Sequence, residues 1–345
     1  MNGAMKRSPM LIAACVLAAL CWLGWRADAR ALLAGYLAVW WFVTGALLGG
    51  LANVWLHQLT GGGWGETIRT PLLRAARWLP LACLLFLPVL AGMHLLYPWA
   101  GAQALEPDTA FRRWWLAPAA FAVRSVAYLL LWSLLSWIEL RARHRSAARA
   151  AACLLAYMFS VGLAAVDWIM SLQPEWYSSV FGWLAGTGQM LTGLALAVLL
   201  IDRDAARPRL PDLGNLLMMY VMTWAYLAYV QFLIIWAADL PREIAWYLRR
   251  DTPGWRAVAW SLLALHGAGP VVILLSRHAK RAPRLMGALA AVLMAAHLLD
   301  CWWLVLPSVR GLVAGWAWPA LLPVLAAAAL AWLTLGAKQG EEVHV

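Results

Sequence analysis

The sequence has few charged residues: Asp, Glu, Lys and Arg make up 12% of the chain, about half the share that is usual in soluble domains. Hydrophobic residues make up 64% of it. A chain with so little charge has too few polar side chains to cover the surface of a water-soluble fold. The composition therefore excludes an ordinary soluble protein and predicts an integral membrane protein.

Cysteine is scarce as well. The five cysteines are scattered within apolar runs, and neither C-x-x-C nor C-x-x-C-H occurs. These absences argue against an iron–sulfur cluster, a zinc site, attached haem c or a disulfide framework held by this chain alone. We expect no metal site and no cofactor bound by this chain alone, so any redox centre that it serves should lie on a partner. The glycine-rich segment 57–71 is followed by no G-K-[ST], which argues against a phosphate-binding loop.

Ten apolar runs are long enough to cross a membrane. A helix needs about 20 residues to cross roughly 30 Å of hydrocarbon. Because the runs show no alternation of polar and apolar residues, they predict an all-α integral membrane protein of about ten transmembrane helices and not a barrel. The runs cover residues 9–25, 31–56, 72–96, 114–138, 150–171, 177–201, 214–237, 256–276, 284–306 and 318–336.

The basic residues indicate how these helices are oriented. When the loops are assigned alternately to the two sides, seventeen of the 27 lysines and arginines fall on one side, nine on the other, and Arg124 lies within a run. Since cytoplasmic loops are enriched in Lys and Arg, the first side is predicted to be cytoplasmic and to hold both termini. Topology also accounts for the net charge of +11, so we expect no nucleic-acid partner. The first run also fits a cleavable signal peptide, an alternative that leaves the other orientations unchanged.

Titratable side chains at membrane depth are costly and are functional candidates by default. Counting about 1.5 Å per residue along a helix places eight of them between the middle of the membrane and its outer surface, and two toward the cytoplasm. The outer group is His94, Arg124, Tyr128, Asp167, Asp239, His266, His297 and Asp300, and the cytoplasmic pair is His57 and Glu139.

These groups allow several interpretations. A path of alternating acids, histidines and hydroxyl groups could conduct protons from a buried redox reaction. The structural alternative is a set of ion pairs, for example Arg124 with Asp167 or with Asp300. Haem b would need two histidines on facing helices at matched depth, and only three histidines are available for it. A secondary transporter is a further alternative, because Gly267, Gly269 and Pro270 could break the eighth helix near the midplane.

Residues 239–251 are polar enough to leave the membrane on its outer side. Asp239 could cap a short helix that has Pro241 in its first turn. Ile244, Trp246 and Tyr247 would make this helix amphipathic, so we expect it to lie on the outer surface, where a partner could bind it.

Five segments resemble a known family. They are HQLTGGGW (57–64), VDWIMSLQPEWYSSVFGW (166–183), QFLIIWAADLPREIAWYLRR (231–250), LHGAGPVVILLSRHAKR (265–281) and HLLDCWWLVLP (297–307). They are similar to the polysulfide-reductase-like (NrfD-type) membrane subunits of bacterial alternative complex III, and most similar to the second of its two such subunits. The D-W-x-M-S-L-x-P-x-W-x-S run is the most specific of them.

The resemblance implies two four-helix bundles, in residues 31–172 and 173–310, with one peripheral helix at each end, in residues 1–30 and 311–345. It implies a bacterial cytoplasmic membrane and a quinol:cytochrome c oxidoreductase of the respiratory chain. Its partners would be a paralogous quinol-site subunit, an iron–sulfur subunit, haem c subunits, a terminal oxidase and lipids. The chain alone would not be active.

Within such a complex, the outer group of titratable residues is expected to line a polar channel or a quinone-sized cavity. Quinol oxidation releases two protons per two electrons, and a nearby base must accept them. The competing hypothesis is a non-catalytic membrane scaffold of the same complex, in which the buried polar groups are structural ties. A cavity that reaches these residues from the lipid would favour the first hypothesis, and fully hydrogen-bonded carboxylates would favour the second.

Overall fold

The computed structural model of the protein describes residues 7–101, 109–309, 318–324 and 326. No β-strand occurs in these residues. The α-helices are α1 (Arg7–Thr60), α2 (Gly63–Ala76), α3 (Leu79–Leu84), α4 (Leu87–Ala91), α5 (Met93–Leu96), α6 (Ala110–Trp115), α7 (Pro118–Arg141), α8 (Ala147–Trp168), α9 (Phe181–Leu200), α10 (Leu210–Ala238), α11 (Pro241–Leu248), α12 (Pro253–Leu262), α13 (Gly269–Leu275), α14 (Arg277–Arg281) and α15 (Pro283–Val305). A π-helical turn, Leu263–Ala268, joins α12 to α13, and short 3-10 helices lie at Met170–Leu172, Arg207–Arg209, Leu306–Ser308 and Trp318–Leu321.

Seven helices in the described part of the chain are long and apolar enough to cross a membrane, and a bent pair of shorter helices raises the number to as many as eight. The prediction of an all-α, multi-pass membrane protein is confirmed at this level. The count of ten helices and their division into two bundles stay predictions. Most of the tenth run, 318–336, lies outside the described residues.

The first two predicted runs form one helix, α1, with a break at Asp28, whose backbone is extended (φ −157°, ψ 94°). The Asp28 carboxylate accepts a hydrogen bond of 3.0 Å from the Ala31 N–H. A carboxylate that binds a free N–H of the first turn caps the helix that follows. The break at Asp28 therefore lies between the two helices that the sequence predicts, which cover residues 9–25 and 31–56.

The third predicted helix, 72–96, is not one helix. Gly63–Ala76 and Leu79–Ala91 meet at a bend of 44°, and proline stands in the first turn of both α3 and α4. Proline has no N–H to donate and clashes with the preceding turn, so each proline starts a new helical segment. Hydropathy alone predicted one helix here because the whole run is apolar.

The core is built around α9, which packs against α1, α8, α10 and α15 and is largely buried within the protein, whereas α10 exposes most of its surface. Asn53 joins three of these helices, since its amide N–H₂ donates to Met190 O at 2.8 Å and its Oδ1 accepts from the Tyr220 hydroxyl at 2.9 Å. Burying a polar side chain in this way costs little because its groups are paired.

Close contact between α1 and α9 depends on glycine. A Cβ at Gly193 would lie 2.2 Å from Gly50 N, and one at Gly49 would lie 1.9 Å from Gln189 O. Small residues allow membrane helices to approach this closely.

Gly193→Ala is therefore expected to lower the free energy of unfolding by about 1–3 kcal/mol, because the added methyl forces two backbones apart. Thermal unfolding of the purified protein in detergent would measure the change. Gly162→Ala is the matched control, since its Cβ would meet only Gly182 Cα, at an ordinary 3.7 Å. Equal melting temperatures for the two variants would contradict the close packing of α1 on α9.

Candidate functional site

The structure brings six of the eight titratable residues predicted toward the outer side together in two clusters. In the first, which we call the Asp167 cluster, Asp167 at the end of α8 is paired with Arg124 of α7. Arg124 Nε and Nη2 donate to the two carboxylate oxygens, each at 2.9 Å, and the Tyr128 hydroxyl donates to Oδ2 at 3.0 Å. Arg124 also donates to Trp115 O at 2.7 Å and lies 4.0 Å from the centre of the Trp115 ring.

Every oxygen of the Asp167 carboxylate thus has a partner, and the side chain is 0% exposed. Trp168 fixes the end of α8 because its buried ring packs edge-on against Tyr128 and Trp132 and its indole N–H donates to Ser125 Oγ at 2.8 Å. This is the ion pair that the sequence allowed as the structural alternative for Arg124. A role for Asp167, Arg124 and Tyr128 in proton transfer stays a prediction.

The second cluster, which we call the His–Asp cluster, consists of His266, His297 and Asp300. The two imidazole rings are stacked with their centres 5.4 Å apart, and His297 Nδ1 lies 3.6 Å from Asp300 Oδ2. All three side chains are buried. The cluster combines two elements that are distant in sequence, the π-helical turn with His266 and the C-terminal half of α15 with the other two.

Local backbone features create this arrangement. His266 lies in the turn Leu263–Ala268, where the helix is π-helical, and such turns are often found at functional sites. His297 fits against α9 because residue 188 is glycine: a Cβ there would lie 2.4 Å from His297 Cε1. Asp300 follows His297 by three residues, so both point from the same face of α15.

The polar atoms of this cluster are poorly satisfied. Within the described residues, neither ring nitrogen of His266 has a hydrogen-bond partner, and the nearest acceptor to His297 Nδ1 is Asp300 Oδ2, at 3.6 Å. The Trp224 ring stands edge-on to His266 with the ring centres 4.1 Å apart. Buried polar groups without partners are rare and costly, so the unpartnered imidazole of His266 makes this cluster a candidate ligand site.

A cavity of about 850 Å³ reaches the cluster. Asp300 and Trp224 line it, and Gly267 lines it beside His266. Its mouth lies between α10 and the α12–α13 segment, where Met222, Trp260 and Val272 are exposed. Most of the remaining lining is apolar: Leu184, Ala225, Ala228, Phe232, Leu262, Leu263, Ala268, Val271 and Leu304. We call it the Asp300 cavity.

Gln231, near the end of α10, and Tyr247 of α11 also line the Asp300 cavity with polar groups. Tyr247 belongs to α11, outside the membrane-spanning helices, and burial raises its pKa to about 12. Its hydroxyl therefore keeps its proton at neutral pH and is available as a hydrogen-bond donor.

The His–Asp cluster could also hold a metal ion. Two imidazole nitrogens and a carboxylate oxygen lie within 4.8 Å of one another, and this set of ligands suits several transition metals. The sequence did not suggest this set because His266 is 31 residues away from His297. The expectation that the chain has no metal site stays a prediction.

The cytoplasmic candidates lie in a separate network. Glu139 Oε1 accepts from Gln58 Nε2 at 2.7 Å and from Arg69 Nη2 at 2.9 Å, and Oε2 accepts from Trp55 Nε1 at 3.3 Å. His57 Nε2 lies 2.8 Å from Gly62 O. These contacts join α1, α2 and α7, so the Glu139 carboxylate has the partners of a structural tie. Proton conduction by Glu139 and His57 stays a prediction.

The two remaining candidates lie apart from both clusters. His94 is exposed. Asp239 does not cap the following helix, which begins after Leu240 without a side-chain cap, so that expectation is wrong. Asp239 instead ends α10 in the left-handed conformation (φ 50°, ψ 35°), which Asp tolerates better than most residues. The short helix near 239–251 itself is present as α11.

Arg250 is buried, although the loop assignment predicts it in an exposed loop on the outer side. Its guanidinium donates to Trp303 O at 3.0 Å, to Leu304 O at 2.8 Å and to Ser308 Oγ at 2.7 Å, and it lies 3.5 Å from the centre of the Trp246 ring. It thereby satisfies free carbonyls at the end of α15, close enough to Asp300 to interact with its charge. The Arg249-Arg250 pair was visible, but the sequence does not tell which of the two points inward.

The chain matches no model of a known protein family, and no curated protein is significantly similar to it. The resemblance to the NrfD-type subunits therefore depends on the sequence motifs alone.

Proposed function

We propose that the chain is an integral membrane subunit of a quinol:cytochrome c oxidoreductase, and that the Asp300 cavity is its quinol site. The motifs at 57–64, 166–183 and 231–307 support the class of complex. The observation that carries the site is an apolar cavity lined by a buried carboxylate, Asp300, which lies beside His297 and close to His266, whose ring nitrogens have no hydrogen-bond partner. An apolar cavity with a few convergent polar groups is typical of a ligand site.

The chemistry follows from the groups at the inner end of the cavity. Quinol entering from the bilayer would place one hydroxyl near the Asp300 carboxylate and would donate hydrogen bonds to the cluster. Oxidation to quinone breaks two O–H bonds and releases two protons and two electrons. Asp300 is placed to accept the first proton as a carboxylate. His297, whose Nδ1 lies 3.6 Å from Asp300 Oδ2, can take over that proton, which leaves Asp300 free to accept the second. The electrons leave to a one-electron redox centre on a partner subunit.

The same proposal extends to assembly and location. The chain would lie in a bacterial cytoplasmic membrane with both termini in the cytoplasm, in two four-helix bundles flanked by single helices. Iron–sulfur clusters and haem c would belong to partner subunits, and the chain would have no activity by itself.

Filling the cavity tests the site directly. Ala228→Phe places a ring among the lining residues of α10 and is expected to weaken binding of a quinone analogue at least tenfold, about 1.4 kcal/mol. Because Trp224, Trp260 and Trp303 line the cavity, quenching of tryptophan fluorescence in the purified chain would report binding of ubiquinone and menaquinone analogues. Ala237→Phe is the matched control, since Ala237 is exposed on the same helix and does not line the cavity. Equal affinities in the two variants would contradict the site.

A non-catalytic scaffold is the main alternative. The Asp167 cluster and the Glu139 network fit it, because both carboxylates are fully paired. Asp300 fits it less well, because Asp300 lines a cavity whose mouth has exposed apolar side chains, and the neighbouring His266 has no hydrogen-bond partner.

A secondary transporter is supported less well. The expected break in the eighth helix is absent, since Pro253–Leu275 is one continuous helical segment with a π-helical turn inside it.

A bound divalent cation in the His–Asp cluster is the other occupant that the geometry allows. It predicts one metal ion per chain in the purified protein by mass spectrometry, and its removal by chelation would then change quinone binding.

A further inference from the structure

A second large cavity, of about 950 Å³, lies at the opposite end of the same helices. Its lining comes from the segment before α10, the start of α10, α14 and the start of α15, and includes Arg207, Pro211, Arg281 and Arg284. Arg284 precedes Asp300 by sixteen residues, about 24 Å along α15. This cavity, which we call the Arg284 cavity, is therefore separate from the proposed quinol site.

The Arg284 cavity is strongly basic. Three arginines, Arg207, Arg281 and Arg284, and His278 line it, against a single carboxylate, Asp204. Among the described residues, none of the three guanidinium groups forms an ion pair or hydrogen bond. Three arginines that line one cavity give it a positive potential, which favours a bound anion. Guanidinium groups bind phosphate oxygens in a bidentate manner.

The position of the cavity indicates what kind of anion it binds. It lies where α10 and α15 begin, and both helices are long and apolar enough to cross the membrane. Leu285 follows Arg284 directly and is exposed, as is Met219 further along α10. A ligand with its phosphate between the arginines would therefore have apolar surface beside it, on the side of the membrane interior. This combination fits an amphiphile better than a soluble anion.

We propose that the Arg284 cavity binds the phosphate headgroup of an anionic phospholipid, with its acyl chains along the exposed faces of α10 and α15. Basic cavities between transmembrane helices at the membrane surface are suited to such headgroups. The volume exceeds that of a single phosphate and accommodates a glycerophosphate headgroup. The site is independent of quinol chemistry and would exist in either a catalytic subunit or a scaffold.

The test uses the purified full-length chain in lipid nanodiscs or detergent, with phosphatidylglycerol as the probe and phosphatidylcholine as the neutral lipid. Native mass spectrometry would count retained lipid and give relative affinities. The variant Arg281→Gln/Arg284→Gln is expected to bind phosphatidylglycerol about 30-fold more weakly, the equivalent of about 2 kcal/mol at about 1 kcal/mol per basic residue. Arg281→Lys/Arg284→Lys keeps the charge and should retain most of the binding.

The matched control is Arg74→Gln/Arg77→Gln, which removes two exposed arginines that the topology places on the same side of the membrane but outside the cavity. The wild-type chain should prefer phosphatidylglycerol over phosphatidylcholine, and the control variant should keep that preference. An equal loss in the control would assign the effect to general surface charge and would overturn the site. Competition by millimolar inorganic phosphate would identify a soluble-anion site and would overturn the lipid assignment. Unchanged binding in the Gln variant would overturn both.

Discussion

Replacing Asp300 by asparagine is expected to lower quinol-driven reduction of cytochrome c by about 10²- to 10⁴-fold in the assembled complex. That is the range over which a positioned general base contributes to a rate. Asparagine has nearly the same shape as aspartate, so it leaves the Asp300 cavity open, but it cannot accept the quinol proton. The measurement is turnover at saturating quinol. A lower rate with little change in apparent affinity would separate proton transfer from binding.

Two comparisons make the Asp300 result interpretable. Asp300→Glu keeps a carboxylate and should recover part of the activity, whereas Asp251→Asn removes an exposed carboxylate that pairs with Arg256 at the surface and should change nothing. The stability of Asp300→Asn should be equal to that of the wild-type protein or slightly higher, because the variant replaces a buried carboxylate by a neutral group. Full activity in a folded, assembled Asp300→Asn complex would contradict the quinol site.

The opposite result is expected at Asp167. Asp167→Asn should lower the free energy of unfolding by about 3–5 kcal/mol, because it leaves the Arg124 guanidinium buried without its counter-charge. The side chain of Arg124 is only 15% exposed, so water replaces little of the lost interaction. Thermal or denaturant unfolding in detergent would measure the loss.

A double-mutant cycle tests this pair further. Arg124→Met removes the cation, and combining it with Asp167→Asn should recover much of the stability that either single change loses. A stable Asp167→Asn protein with reduced proton release during turnover would instead support the proton-transfer role that the sequence suggested for Asp167. The two aspartates are thus distinguished by which property changes, stability at Asp167 and turnover at Asp300.

Several features of the fold could be predicted from local sequence. The apolar runs that end at residue 171 and begin at residue 177 predicted the end of α8, at Trp168, and the start of α9, at Phe181, to within four residues. The amphipathic pattern predicted the short helix at 241–248. The breaks in the third run were not predicted, because mean hydropathy over a long window is hardly changed by the single prolines that start α3 and α4. Asp28 lies in the gap between the first two apolar runs, but the sequence predicted a loop there and not a break within one helix.

The candidate residues were found by one principle, that ionisable side chains inside a membrane are expensive. That principle selects candidate residues, but it does not predict which other side chains they bind in the folded protein. For Arg124 the sequence offered two possible carboxylate partners, Asp167 and Asp300, because both are predicted at a membrane depth that the Arg124 side chain could reach. Only packing of α7 against α8 decides for Asp167, and that choice leaves Asp300 without an arginine bound directly to its carboxylate.

The amino-acid sequence alone established the class of protein, most of its long helices and the short set of titratable residues within them, because hydrophobicity and helical period are local properties of the chain. The tertiary structure decided which of those residues neutralise one another and which remain unpaired beside a cavity. That decision depends on glycine at position 188, a π-helical turn at His266 and the approach of helices far apart in sequence. The free energy of a buried charge is set by its neighbours, and at Asp167 and Asp300 those neighbours come from elements that no local pattern connects.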